Sequence, residues 1–525
     1  MKRTAIALIL ISALLVMLAV GLHSVKAGPK TIVVPDDYST IEAAIENAAD
    51  GDTIFVKKGI YEENPLQINK TLSLIGEGAD FTKISFAPHY TDVTINIFER
   101  HRFYEEPIKV YADSFKMSGF AIITTGGYIR ISGNGTEITG NQILTDIYVS
   151  GSRLNVTENN FPYTAAITGT YSKISANTGH SMWIYGSFCD ISLNSISGSD
   201  TATGIWFRGN FSLIHDNNFT KAPYGKFSVE GNYNIIYRNI VDDAAFGLAV
   251  RGSNNTFYAN RITNCGIGLE NPESSNLFYA NYVASNGWGI NTGYNSTIAT
   301  LYHNNFISNR YQVSTIFSSY PTQYFDNGAE GNYWSDYHGK DANGDGIGDT
   351  PYLIDANRSD RYPLMVPFNI ESAIVELPEW ASPPSVSLIS PKNTTYTSAN
   401  VTLEFMINKQ TSWIGYSLDG HETATITGNT SLPGLSSGLH NVTLYAKDPF
   451  GNIVTYETIW FSVEKPFPTA LVIVASVATV AIVIAGLIVY FKNAGNKQSD
   501  AHFCKRLNNC VKLFYLDSTS VNFFI

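Results

Sequence analysis

Residues 255–260 read Asn-Thr-Phe-Tyr-Ala-Asn, and residues 276–281 read Asn-Leu-Phe-Tyr-Ala-Asn. The shared element is an apolar residue three places before an asparagine. It runs outward in both directions as Ile138/Asn141, Val156/Asn159, Ile174/Asn177, Ile191/Asn194, Ile214/Asn217, Ile236/Asn239, Phe257/Asn260, Phe278/Asn281 and Leu301/Asn304, at a spacing of 17 to 23 residues. A period of that size, rich in Gly and Asn and alternating as strands do, suits one turn of a parallel β-helix. Asparagine fits the turn because it tolerates the left-handed region, and its amide can bond the copy in the next coil. The repeat therefore predicts an asparagine ladder.

A second register precedes each asparagine: Ile131, Val149, Ile167, Ile184, Phe207, Val229, Val250, Leu269 and Ile290. All are apolar, so this column points inward, and it stays in step with the first, slipping slightly in the last two coils. Side chains alternate across a strand, so the following residues face out: Ser132, Ser150, Thr168, Tyr185, Arg208, Glu230, Arg251, Glu270 and Asn291. With coils about 4.8 Å apart, Arg208, Glu230, Arg251 and Glu270 form a column of alternating charge. That column reads either as a salt-bridge ladder fixing register or as the floor of a polar groove.

One residue before the inward column, Trp183 and Trp206 face out in adjacent coils. Exposed rings beside Arg and Glu are what a sugar chain needs, faces to stack on and donors and acceptors for hydroxyls; the alternative is burial beneath a neighbouring loop. A further outer column, His215, Tyr237, Tyr258, Tyr279 and Tyr302, reads as a stabilising aromatic stack or as a second binding surface.

The chain has 525 residues, 34 Lys+Arg against 45 Asp+Glu, a balance of 34 − 45 = −11. That length implies more than one domain. With 15% charged and 13% aromatic residues the chain can bury a large core, and an acidic chain with few cations is a poor partner for nucleic acid. Cys189 and Cys265 are the only cysteines before residue 500, which excludes a disulfide framework.

The ends point to export. Lys2 and Arg3 precede an uncharged run to Leu22, and Val25-Lys26-Ala27 offers small residues at a signal-peptidase spacing, so residues 1–27 read as a cleaved signal or an uncleaved anchor. Residues 469–491 are long and apolar enough for a transmembrane helix, and Lys492, Lys497, Lys505 and Arg506 then place the tail, 492–525, in the cytoplasm. Twelve N-x-[ST] acceptor sites, from Asn69 to Asn441, all precede that span.

The opening TIVVPDDYSTIEAAIENAADGDTIFVKKGIYEENPLQINKTLSLIGEG resembles the start of pectin-lyase-like right-handed β-helix proteins. The asparagine repeats resemble the NosD-like branch for carbohydrate binding and sugar hydrolysis. GNYWSDYHGKDANGDGIGDTPYLID followed by DRYPLM resembles the terminal signature of archaeal surface proteins in that branch. The resemblance implies three parallel sheets with ligand grooves outside the first. The expected organisation is all-β: a right-handed parallel β-helix over 28–325, opened by an amphipathic capping helix within Ser39–Ala49; a terminal coil over 326–367; a linker over 368–383; and a β-sandwich over 384–464 before the transmembrane helix. The sandwich resembles disulfide-free Ig-like modules in SPPSVSLISPKNTTY, YSLDG and GLHNVTLYAKDPFGN.

Hydrolases of the pectin-lyase-like type use carboxylate pairs, and inverting chemistry wants them about 6.5 to 9.5 Å apart. Asp200 and Asp243 hold equivalent places two coils apart, about 9.6 Å by strand spacing. Lyase chemistry would use Arg208 or Arg251 as base with calcium held by acids, and no acidic cluster for it is visible. Copper finds no His, Met or Cys spacing suited to chelation. The metal motif lies in Asp341, Asn343, Asp345, the Ile347 carbonyl and Asp349, at positions 1, 3, 5, 7 and 9 of a calcium-type loop with Gly346 at its turn. Tyr352 replaces the acid expected at position 12, so water or Asp355 would complete the shell of a structural calcium.

The expectation that follows is an exported, single-pass surface protein, outward-facing, whose β-helix binds carbohydrate, with envelope glycans or proteins as partners. A polysaccharide lyase or glycoside hydrolase and a purely structural envelope protein are the alternatives.

Overall fold

The computed structural model describes residues 28–489 apart from 88–89, 97–98, 105, 125, 199–203, 271–274, 292–298, 315–322, 374–377, 379, 449–452 and 465–478. The expected signal segment and tail lie outside the described residues. From Thr31 onward the chain winds as a parallel β-solenoid of the right-handed type, the hand that parallel crossovers take. One face is a 14-stranded sheet running from Thr31–Val34 to Gln323–Tyr324. The other two faces join in a 21-stranded sheet, because strands such as Asn160–Thr170, Asn218–Glu230 and Ile240–Arg251 bend around the corner without breaking.

The repeat sets the register. Ile214, Ile236, Phe257 and Phe278 are Cα partners in successive coils of the first face and are fully buried. Each such side chain adds roughly 1.5 to 3 kcal/mol of hydrophobic stabilisation, so the core is a continuous column rather than a central cluster.

The asparagine ladder runs unbroken through the core. Asn217 Nδ2 donates to Asn239 Oδ1 at 2.9 Å and to the Ile191 carbonyl at 2.8 Å, and Asn239 Nδ2 repeats the pattern with Asn260 and Ile214. It extends one step beyond the sequence repeat, from Asn304 to Asn332, and ends on Asp360 Oδ2. One expectation needs correction: the asparagines are not the left-handed residues. That conformation falls on the residue before each, such as Leu193 (φ 58°), Arg238 (φ 50°) and His303 (φ 58°). The preceding residue turns the chain, which frees the asparagine side chain to point inward. Shorter ladders stand at the other corners, Asn234–Asn255–Asn276 and Asn286–Asn309.

The first coil is capped as expected, by helix Ile41–Asn47 with Ile41, Ala44 and Ile45 buried. Thr40 accepts from Ala43 N at its N-terminus, and Glu63 accepts from Ile41 N and Glu42 N. The segment expected as a linker instead begins by folding back on the solenoid. Phe368 exchanges two hydrogen bonds with the Asn305 side chain and stacks on His303 at 4.2 Å, while Ile370 and Ala381 are buried with Tyr237, Tyr258 and Tyr279.

The C-terminal residues form sandwich-like sheets. One contains Val386–Ser390, Val401–Ile407 and Thr430–Leu432; the other is built around Trp413–Leu418, Gly438–Lys447 and Ile459–Val463. Of the apolar stretch 469–491, residues 479–489 are helical with exposed side chains, and no helix among the described residues is long and apolar enough to cross a membrane.

Candidate functional site

The third face carries two outward stripes that run across the coils. In the first, Lys109, Arg130, Tyr148, Ala166, Trp183, Trp206, Ser228 and Ala249 are successive Cα partners. In the second, the order is Tyr111, Ser132, Ser150, Thr168, Tyr185, Arg208, Glu230 and Arg251. The stripes are separated by the inward residue of each strand, so they form the two sides of one surface. Close stacking is maintained by the glycines that follow the second stripe: a Cβ on Gly209 would overlap the Gly186 carbonyl oxygen.

A cleft of about 420 Å³ opens on this face, lined by Trp183, Tyr185, Trp206, Phe207, Arg208, Ser228 and Glu230. Five of the seven residues singled out from the sequence for carbohydrate are among them. Trp183 is 39% and Tyr185 37% exposed, so burial of the leading indole beneath a loop is not what the structure shows. The two indoles meet edge to face, centroids 5.7 Å apart at 83°, and form a corner instead of a flat shelf.

The charge column is real but shorter than expected. Arg208 Nε lies 3.1 Å from Glu230 Oε2, and Arg251 Nη1 lies 3.6 Å from Glu230 Oε1. Glu270 does not continue it: Leu269 pairs with Leu248, not Val250, and Glu270 with Ala249, which moves it to the indole stripe. The strands keep the 21-residue step that separates Asn239 from Asn260, whereas the column read from the sequence stepped 19 residues from Val250 to Leu269 and so changed stripe. Asn291 follows Glu270 there.

Ser228 was missed by the sequence reading, although its place one residue before Val229 was available. Its hydroxyl lies in the cleft wall, 1% exposed and without a hydrogen-bond partner among the described residues. Such a group costs roughly 1 to 3 kcal/mol unless something satisfies it.

The tyrosine column is a stack. His215, Tyr237, Tyr258, Tyr279 and Tyr302 follow one another with centroids 4.6 to 5.6 Å apart, and the segment from Phe368 covers part of them. His215 lies between Asp190 (3.2 Å) and Asp216 (2.6 Å). Burial works against its charge, yet the two carboxylates raise its pKa above the ordinary value. A second stack, Tyr171–Phe188–Phe211–Tyr233, lines the next corner and was also missed, because its members sit at left-handed positions where aromatic residues are not anticipated.

Of the catalytic candidates, Asp243 is exposed at a corner with φ 55°, the Arg251 guanidinium is engaged by Glu230, and Asp200 lies outside the described residues. In the loop 341–349, Asp341 accepts from the backbone of Gly344, Asp345 and Gly346, and Asp349 from Ala342. Ile347 bridges to Leu364, which ties the loop to the terminal coil.

Residues 113–339 match the family model described as Periplasmic copper-binding protein (NosD). Among the described residues no three His, Cys, Asp or Glu side chains are placed to hold a metal ion, so these residues do not fit a copper centre. Cys189 and Cys265 are buried at different corners, with burial pushing both thiols up to about 12.

A curated relative, halomucin of Haloquadratum walsbyi, is 38% identical over 89 residues, 15% of this chain, and the chain spans 1% of its length. Among solved structures, the A-module of mannuronan C-5 epimerase AlgE6 of Azotobacter vinelandii aligns over 54% of this chain and 91% of its own, with TM-score 0.31 and 12% identity. The AlgE4 A-module gives 55%, 95%, 0.30 and 13%. The tailspike protein of E. coli bacteriophage HK620, solved with a pentasaccharide, gives 56%, 61%, 0.25 and 11%. With its three-faced parallel coil and internal asparagine ladder the chain is a parallel β-helix protein, and its segment 113–339 is similar to the NosD family.

Proposed function

We propose that this protein binds carbohydrate on the third face of its solenoid, through Trp183, Tyr185, Trp206, Arg208, Glu230 and Arg251. The observation that carries the reading is the cleft in which exposed aromatic rings, paired charges and an unsatisfied buried hydroxyl converge. Rings of this kind stack on sugar faces, and ionic side chains supply strong hydrogen bonds to hydroxyls or carboxylates. Glu270, on the other stripe, extends the surface without belonging to the charge column.

The proposal includes an exported, membrane-anchored chain with the sandwich sheets as an Ig-like stalk; the apolar helix at 479–489 supports the anchor. It also includes a structural calcium at Asp341, Asn343, Asp345, Ile347 and Asp349; this rests on the spacing of oxygen donors in the sequence and requires the loop to rearrange, since its three carboxylates are not placed to hold a metal ion together.

The test is a glycan array probed with the full chain and with Trp183→Ala/Trp206→Ala. Binding to a defined set of glycans that the double variant loses, while its melting temperature holds, is the expected result. An array on which the full chain binds nothing defeats the reading.

A further inference from the structure

We propose that the ligand of the third face is an acidic polysaccharide in which anionic residues alternate with uncharged ones. This rests on the carbohydrate-binding reading and adds the charge pattern of the polymer. Arg208, Glu230 and Arg251 are Cα partners in three successive coils, so positive, negative and positive charge follow one another at about 4.8 Å, and like charges recur at about 9.6 Å. The carboxylate is the recessed member: side-chain exposure is 71% for Arg208, 25% for Glu230 and 63% for Arg251. Each guanidinium carries five N–H donors, and contact with one carboxylate oxygen leaves most of them directed at solvent.

The stripes run along the solenoid axis, so a glycan stacked on the indole corner and laid along the same surface advances roughly one pyranose per coil. Its consecutive residues then meet Arg208, Glu230 and Arg251 in turn. A polymer charged on every residue would press one anion against Glu230, a like-charge contact that selects against it. A neutral polymer offers the two guanidiniums no negative charge beyond that of Glu230. An alternating polymer places an anion on each arginine and presents hydroxyl or amide N–H donors to Glu230. Glu230 is then a positioning residue for the two arginines as well as the element that rejects the wrong repeat. On the preceding coils Ser132, Ser150 and Thr168 occupy the same stripe with hydroxyls only, and Ser132 and Ser150 already bond each other at 2.9 Å. On this stripe, charge selection is therefore confined to the coils of Arg208, Glu230 and Arg251.

The experiment compares three probes of equal length on the full chain by calorimetry: hyaluronan oligosaccharides, which alternate acidic and neutral sugars; polygalacturonate oligosaccharides, acidic at every residue; and neutral cello-oligosaccharides. The expected order places the alternating probe first, with affinity falling as salt rises. Arg251→Ala should weaken the alternating probe roughly tenfold or more and the neutral one by a much smaller factor. Glu230→Gln should selectively improve polygalacturonate. If polygalacturonate or the neutral probe binds the unaltered chain as tightly as the alternating one, the alternating-charge assignment is overturned while carbohydrate binding stands. If the array and all three probes are negative, it is the carbohydrate reading that has failed.

Discussion

Trp206 and Ser228 are Cα partners in neighbouring strands, a partly exposed indole beside a hydroxyl that is 1% exposed and unpaired. The pair places an unsatisfied donor and acceptor beside a stacking surface, and the two effects of removing it have opposite signs. Ser228→Ala should leave the melting temperature unchanged or raised, since the cost of the unpaired group disappears, while weakening glycan binding several-fold. Ser181 is the control: its hydroxyl is also buried and unpaired but does not line the cleft, so Ser181→Ala should leave affinity unaltered. Equal affinities for unaltered chain and Ser228→Ala would reduce Ser228 to a packing defect.

The ladder yields a stability prediction. Asn239 accepts from both Asn217 N and Asn217 Nδ2 while donating to Asn260 and the Ile214 carbonyl. Asn239→Ala leaves several buried groups unpaired at once and should cost about 3 to 5 kcal/mol. Asn239→Asp keeps the acceptors but puts a carboxylate against the Asn260 and Ile214 oxygens, so it should be at least as damaging at neutral pH. Urea melting of both variants decides the matter; losses below about 1 kcal/mol would mean that the ladder follows the coil rather than holding it.

The coil was legible because its register is periodic: Phe257 and Phe278 repeat over the 21 residues that separate them in space by one strand. Outward residues inherit that register, which is why Trp183, Trp206, Arg208 and Glu230 were found together. Glu270 was misplaced because the inward column stepped 19 residues from Val250 to Leu269, both apolar, while the strands pair at the 21-residue step, Leu248 with Leu269. Ser228 was invisible for a different reason, since an unpaired hydroxyl is defined by what surrounds it and not by residue type. Asp360 is remote from the repeat in sequence and reaches Asn332 only because the terminal coil folds back.

The loop at 341–349 gives a third prediction. Asp341 gathers three backbone N–H groups, and the loop is attached to the last coil through Ile347 and Leu364. Bound calcium would raise the melting temperature of the full chain, by an amount that grows with the logarithm of free calcium above the dissociation constant, and Asp345→Asn should abolish that rise. A melting curve indifferent to both added calcium and EGTA would leave the loop as a hydrogen-bonded turn.

The end of the ladder sets the pH response. Asp360 is fully buried, which pushes its pKa up to about 6 against the pull of N–H donors from Asn332, Trp334 and Tyr362. A carboxyl raised in the folded state holds its proton more tightly there than in the unfolded chain, so stability falls as pH rises between the ordinary carboxylate value and about 6. The stabilisation is fully present below the ordinary value and lost above about 6, a span worth roughly 2 to 3 kcal/mol. His215, also raised, loses its stabilising proton as pH rises above its ordinary value, so the two overlap in sign but not in range. Asp360→Asn separates them: it should flatten the stability profile between pH 4 and about 6 and leave the fall above about 6.5 in place. A variant profile that keeps its full slope in the lower window would show that Asp360 is ionised throughout, held so by the N–H donors of Asn332, Trp334 and Tyr362 that converge on it.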